Sequence, residues 1–243
     1  MTARVEHGDC LEVMRRLVDE GVRVDSIVTD PPYCSGGATE ASRGRATHQG
    51  LRRETIKSGR FSWFGGDNMT TAGLVWLLRE MAVLGGQLLP DTGSMLVFCD
   101  WRMAFQLGPG LESAGFRLRN VVVWDKGHFG CGTGFRPRHE MVLHLTQRAP
   151  AFHAADVGNV IASKRVKGAD RAHPTEKPVS LLRDLIRVVT PPGGTVLDPF
   201  AGSGSTLQAA VEEGFNAIGI EREAEYVADI ERRLERAQPR LVA

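Results

Sequence analysis

Thr195-Val196-Leu197-Asp198-Pro199-Phe200-Ala201-Gly202-Ser203-Gly204-Ser205-Thr206 is the stretch from which the fold can be read. A short β-favouring run enters a glycine-rich turn, and the residues after it open a helix. Such a turn lets backbone N–H groups approach a bound group closely. At the end of the next apolar run, Ile218-Gly219-Ile220, stands Glu221. An acid at that place can accept hydrogen bonds from both hydroxyls of a ribose. A dinucleotide-binding GxGxxG turn would need Gly or Ala where Leu207 stands, so it fits poorly. A phosphate-binding loop would need Gly-Lys-Ser/Thr next, which is missing.

Outward from this stretch, short β-rich runs alternate with helical patterns, the signature of an α/β sheet. Strands are expected at 4–7, 25–29, 94–99, 118–124, 140–145, 195–197 and 217–220. Helices are expected at 11–20, 72–88, 102–114, 179–189, 205–213 and 224–237. In the last, Tyr226, Val227, Ile230 and Leu234 recur on one face. Gly115 and Gly214 suit helix ends. Two consecutive strands leave no room for a helix between them and are expected to pair as a terminal hairpin. The fold class is therefore a Rossmann-like, doubly wound α/β sheet of seven strands in a single domain, residues 1–243. Two stretches resist this reading. Residues 34–66 are rich in Gly, Ser, Thr and Arg, and a loop of that length is expected to be a mobile functional segment. Residues 147–172 are similar but shorter.

Composition bounds the function. With 42% hydrophobic and 24% charged residues the chain is ordinary globular protein. No apolar run approaches the ~20 residues of a membrane span, and no secretory segment follows Met1. Cys10, Cys34, Cys99 and Cys131 form no CxxC pair, which points to a reducing cytoplasm. His128, Cys131, His139 and His144 match no structural zinc spacing, so no metal is expected. Trp63, Trp76 and Trp101 read as core or loop anchors. The formal charge of +1 first speaks against a nucleic-acid partner. It averages two opposed regions, however. Arg43, Arg45, Arg52, Arg53, Lys57 and Arg60 face only Glu54 within residues 41–60, whereas residues 211–236 carry eight acids against four basic residues.

Two further motifs carry chemistry. Asp30-Pro31-Pro32-Tyr33 directly follows the apolar run Ser26-Ile27-Val28-Thr29. Strand ends are where open α/β sheets place ligands. The Asp30 carboxylate and a rigid Pro31 carbonyl form a two-acceptor site suited to an NH₂ group, and Tyr33 offers a face for a base. The same residues are also good turn chemistry. His173-Pro174-Thr175-Glu176-Lys177-Pro178 precedes a helix. There Thr175 can cap, with Pro178 inside the first turn, and Thr175 with Lys177 could hold an acidic ligand group.

Together these motifs resemble the amino-methylating DNA methyltransferases that use S-adenosylmethionine. Their order, DPPY before HPTxKP before FxGxG, resembles the circularly permuted β class. Gly8-Asp9-Cys10-Leu11-Glu12, Trp124-Asp125-Lys126 and His139-Glu140 add to the resemblance. It implies that Asp30 and the Pro31 carbonyl, with Pro32 and Tyr33, form the catalytic site for a flipped base. It further implies that Asp198, Phe200, Gly202, Gly204 and Glu221 hold the cofactor, with Asp9 near its adenine and Thr175 and Lys177 near its methionine end. Duplex DNA is the implied partner, contacted by Arg43, Arg45, Arg52, Arg53 and Arg136. Relatives often pair as homodimers, and some serve a companion restriction endonuclease. Asp30 leans toward adenine N6 over cytosine N4. The alternative, a DNA-binding protein that has lost catalysis, is opposed by the intact motif residues. Residues 147–172 are brief for a target-recognition region, which implies a short or lax recognition site.

Overall fold

The computed structural model describes residues 2–32, 69–130, 134–165 and 176–237. Tyr33, Cys34, Arg43, Arg45, Arg52, Arg53, Trp63, Cys131 and Thr175 lie outside them.

The elements run β1 (Ala3–His7), α1 (Cys10–Asp19), β2 (Ser26–Thr29), α2 (Thr71–Leu88), β3 (Ser94–Cys99), α3 (Trp101–Glu112), β4 (Arg117–Asp125) and β5 (His139–Thr146). They continue with β6 (Val160–Ala162), α4 (Val179–Val189), β7 (Thr195–Asp198), α5 (Ser205–Glu212), β8 (Asn216–Glu221) and α6 (Ala224–Arg236). All eight strands join one sheet in the order β1-β8-β7-β2-β3-β5-β4-β6. The first five in that order are mutually parallel, as α/β crossovers require. β5 runs antiparallel to both β3 and β4, and β6 returns parallel to β4.

Side chains alternate across the strands, and each face is covered by helices. Met14 and Leu17 of α1, Leu78 and Met81 of α2 and Leu107 of α3 pack on one face. Leu181 and Ile186 of α4, Ala209 and Ala210 of α5 and Ile230 of α6 pack on the other. Among the described residues three helices are capped by their own preceding side chain. Asp9 accepts from the Leu11 N–H at 2.9 Å, Thr70 from Gly73 at 3.1 Å, and Asp100 from Arg102 and Met103, both at 3.0 Å.

Four expectations change. The sheet has eight strands rather than seven, because β6 forms within the stretch read as irregular. The β4–β5 hairpin is therefore not terminal: β6 covers the outer edge of β4. It is pinned there by Trp124, whose Nε1 donates to the Ser163 carbonyl at 2.7 Å. Pro178 is the cap residue of α4 and not part of its first turn, so the capping position is not that of Thr175. Trp76 and Trp101 are 58% and 47% exposed, so neither is a core anchor. No helix among the described residues is long and apolar enough to cross a membrane.

Candidate active site

β7 and β2 lie side by side at the centre of the sheet. From β7 the chain crosses through α5 to β8 on one side, and from β2 through α2 to β3 on the other. The two crossovers diverge and leave a crevice at the strand ends, the usual ligand position in such sheets. Asp198 ends β7, Asp30 follows β2 and Glu221 ends β8, so topology alone gathers three carboxylates there.

The glycine-rich turn needs its glycines. Gly202 and Gly204 have φ of 51° and 75°, in the left-handed region. A Cβ on Gly204 would also meet Ile230 of α6 at 3.0 Å. Glu221 holds the turn from outside: its Oε2 accepts from the Gly202 N–H and its Oε1 from the Glu223 N–H, both at 2.8 Å. Burial pushes the Glu221 carboxyl up, against these amides. Gly8, at the end of β1, donates to the Glu221 carbonyl at 2.9 Å, which brings exposed Asp9 to the same rim. Phe200 is half-buried beside the core.

Asp198 has a different place from the one expected. It is 2% exposed, and its Oδ1 accepts from the Thr29 hydroxyl at 2.7 Å and the Phe200 N–H at 3.1 Å. It ties β7 to β2 and shapes the turn from beneath, rather than offering an oxygen at the surface. Burial raises its carboxyl to about 6, despite hydrogen bonds from Thr206 and Thr29. The folded value lies above the unfolded 3.8, so the ionised form is disfavoured by folding. Stability from this group is full below pH 4 and falls as pH rises through 6, by about 3 kcal/mol in all. Relative to the wild type, Asp198→Asn should thus gain several degrees in melting temperature between pH 4 and pH 7. Melts of both proteins across that range test it; a constant difference would refute the assignment.

Lys177 also departs from expectation. It is 5% exposed, and its Nζ pairs with Asp30 Oδ2 and lies 3.4 Å from Glu140 Oε2. The protein itself supplies its acidic partners. Glu140 in turn accepts from Lys126 Nζ at 2.9 Å. Arg233 of α6 donates to the Ser203 carbonyl at 3.0 Å and pairs with buried Glu176, fastening the glycine turn to the segment that carries Lys177. Lys126 and Glu140 were legible only as family matches without a role, and Arg233 carried no signal because it sits amid other helix charges. His144 is a core histidine: burial lowers it to about 4, and it meets Ser94 at 3.3 Å and the Phe152 ring edge-on.

The strand ends thus pair an acid-braced glycine turn with a second carboxylate across the β7/β2 crevice, the layout of a Rossmann-like group-transfer enzyme. The chain belongs to the N6/N4 methyltransferase family, described as DNA methylase, whose model matches residues 24–157 and 153–232. It is 33% identical over 224 residues to the putative methylase YubD of Escherichia coli K12, covering 92% of this chain and 86% of that one. It is 30% identical over 257 residues to the type II methyltransferase M.HinfI of Haemophilus influenzae, covering 96% and 68%. Among solved structures it superposes on the M1.HpyAVI–SAM complex with a TM-score of 0.70 at 24% identity, covering 96% of this chain and 99% of that one.

Proposed function

We propose that this chain transfers a methyl group from S-adenosylmethionine to the exocyclic amino nitrogen of a base flipped out of duplex DNA, adenine N6. The observation that carries this reading is the Asp30 carboxylate, held by buried Lys177 at the end of β2, across the crevice from the glycine turn and Glu221. The cofactor fits the residues present. Glu221 accepts the Gly202, Glu223 and Arg222 amides, and since a carboxylate has about four acceptor sites it keeps capacity for a ribose hydroxyl. Asp9 and Phe200 stand at the rim of the same turn and would border the adenine.

When bound, the cofactor supplies an electrophilic methyl group. The chain supplies orientation and hydrogen-bond acceptors. Asp30 and the Pro31 carbonyl accept the two amino hydrogens and turn the nitrogen lone pair toward the methyl group. Tyr33 stacks on the base. The proton is released after transfer, and no covalent enzyme intermediate is required. The order along the chain, Asp30 before the glycine turn, supports the permuted β-class placement. A cytosine N4 substrate presents the same amino group, and the family model spans both bases. Labelled cofactor with duplex substrates, followed by methylation-aware sequencing of DNA from an expressing host, identifies base and motif. Binding of DNA without transfer to any of several genomes would favour a silent relative.

Of the DNA contacts, Arg136 lies at the same end of the sheet. β4 runs parallel to β3, so its end and the start of β5 project past the strand ends that carry Asp30. There the Arg136 guanidinium stacks over the exposed Phe129 ring at 5.0 Å, and Phe135 is fully exposed. Arg138 pairs with Asp125 and fixes the base of this hairpin. Arg136→Ala is expected to lower the slope of log K against log salt by about 1, and joint neutralisation of Arg43, Arg45, Arg52 and Arg53 by about 4. Titrations at several salt concentrations read both slopes; unchanged slopes would make these residues solvated surface. A homodimer and a companion endonuclease remain part of the proposal, to be read by sedimentation and by restriction of unmethylated DNA.

A further inference from the structure

We propose that Lys177, Glu140 and Lys126 are positioning residues for Asp30, a buried file of alternating charge that keeps the acceptor carboxylate ionised and aimed. The inference rests on the methyl-transfer reading and goes beyond it by assigning a role to groups that the transfer itself does not use.

The file follows from strand alternation. Val28, Val142 and Trp124 pack in the core on one face of the sheet. Two residues further toward the crevice on the same strand lines come Asp30, Glu140 and Lys126, which therefore surface on that same face. β2, β3, β5 and β4 are neighbours in that order. Lys177 arrives from the segment before α4 and bridges the gap that β3 leaves, above the Phe98 ring at 5.1 Å. Lys126 lies above the Trp124 ring at 5.5 Å. The sequence of charges is carboxylate, ammonium, carboxylate, ammonium, over an aromatic floor.

Energetics argue against a purely structural purpose. Taking such ions out of water costs several kcal/mol each, and well-packed apolar residues of similar volume often do as well or better for stability. Here the cost falls at one strand end, the one carrying Asp30. Burial opposes the Lys177 ammonium, yet Asp30 and Glu140 outweigh it and hold Lys177 above the ordinary lysine range. Burial likewise opposes the Glu140 charge, and Lys177 with Lys126 outweigh it and keep that carboxyl low. For Lys126 burial wins over Glu140, and its ammonium is held less firmly. Asp198 on β7 and the Cys99 thiol on β3 also interact electrostatically with Asp30, and Arg165 with Lys126 at the other end of the file. Lys177 is the cation that pairs directly with Asp30.

Removing Lys177 takes a cation from beside Asp30 while Glu140 keeps Lys126 at 2.9 Å, so the Asp30 carboxyl takes up a proton closer to neutrality. Removing the charge of Glu140 has the opposite effect, since Lys177 then serves Asp30 alone. Single-turnover methyl transfer from S-adenosylmethionine to duplex DNA, followed against pH, separates these cases. Lys177→Met is expected to move the acid limb up by about one pH unit or more and to slow transfer at least tenfold at pH 7. Glu140→Gln is expected to move the limb down, with a smaller loss of rate. Calorimetric affinity for the cofactor should stay within about twofold in both. A tenfold weaker cofactor affinity in Lys177→Met with an unmoved limb would overturn the inference and return Lys177 to the cofactor. Equal limbs in all three proteins would overturn it too. If the wild type transfers no methyl group, the functional reading falls and this inference with it, whereas a wild-type profile with unmoved variants condemns the inference alone. Should Lys177→Met fail to fold, the near-isosteric Glu140→Gln carries the test.

Discussion

Asp30→Ala is expected to reduce methyl transfer by about three orders of magnitude or more while leaving the cofactor bound. Loss of one preorganised group that acts on the reacting atoms costs about a hundred- to a thousandfold elsewhere. In the proposed mechanism the same group also orients the amine, so the larger figure applies. The fold should survive, because Lys177 keeps Glu140 as a partner at 3.4 Å. Asp30→Asn is the informative companion. It preserves shape, but its amide presents N–H groups either to Lys177 or to the substrate amine, donor against donor. Its transfer rate should stay near that of the alanine variant. Single-turnover assays with titration calorimetry distinguish the outcomes. A rate within tenfold of wild type would remove Asp30 from the reaction.

Glu221→Gln is expected to weaken cofactor affinity by about a hundredfold and to lower the melting temperature. Both carboxylate oxygens face backbone N–H groups, of Gly202 and of Glu223. A glutamine can satisfy one and must turn its own NH₂ toward the other. A buried donor left without an acceptor costs about 1–3 kcal/mol. On the proposed cofactor placement, losing the charge removes the stronger acceptor for the ribose, and charge-assisted bonds are roughly twice as strong as neutral ones. Transfer at saturating cofactor should fall far less than the affinity, since the proposed role of Glu221 is at the ribose and not at the reacting atoms. Calorimetry reads the affinity and thermal melts read the local damage. An unchanged affinity would separate Glu221 from the cofactor.

These two positions were legible in the sequence because their signals are local. The glycine turn shows itself in consecutive residues, and both acids stand at the ends of apolar runs whose period marks a strand. What escaped reading depends on which strands become neighbours. Lys126, Glu140 and Lys177 are far from Asp30 along the chain, and only the β2-β3-β5-β4 order brings them into one file. Position alone suggested that Lys177 would meet a ligand; the competing partner was an acid from another strand. Asp198 was misread for a related reason. Its motif is visible, but its burial beneath the turn depends on Thr29 of the adjoining strand. β6 was missed because three residues are too few to display an alternating period.

The edge pairing of β1 with β8 has a consequence for biosynthesis. Ala3 stands opposite Ala217 and His7 opposite Glu221, so β1 leaves the ribosome well before β8, its sheet partner among the described residues. Chains emerge N-terminus first, and contacts this distant in sequence form late. The growing polypeptide can gather its middle strands, yet it holds β1 without a neighbour until β8 has cleared the exit tunnel. Gly8 and Glu221 meet in that final closure. Competence to hold the methyl donor is therefore expected to appear abruptly once β8 has emerged, with no partially active nascent form before it.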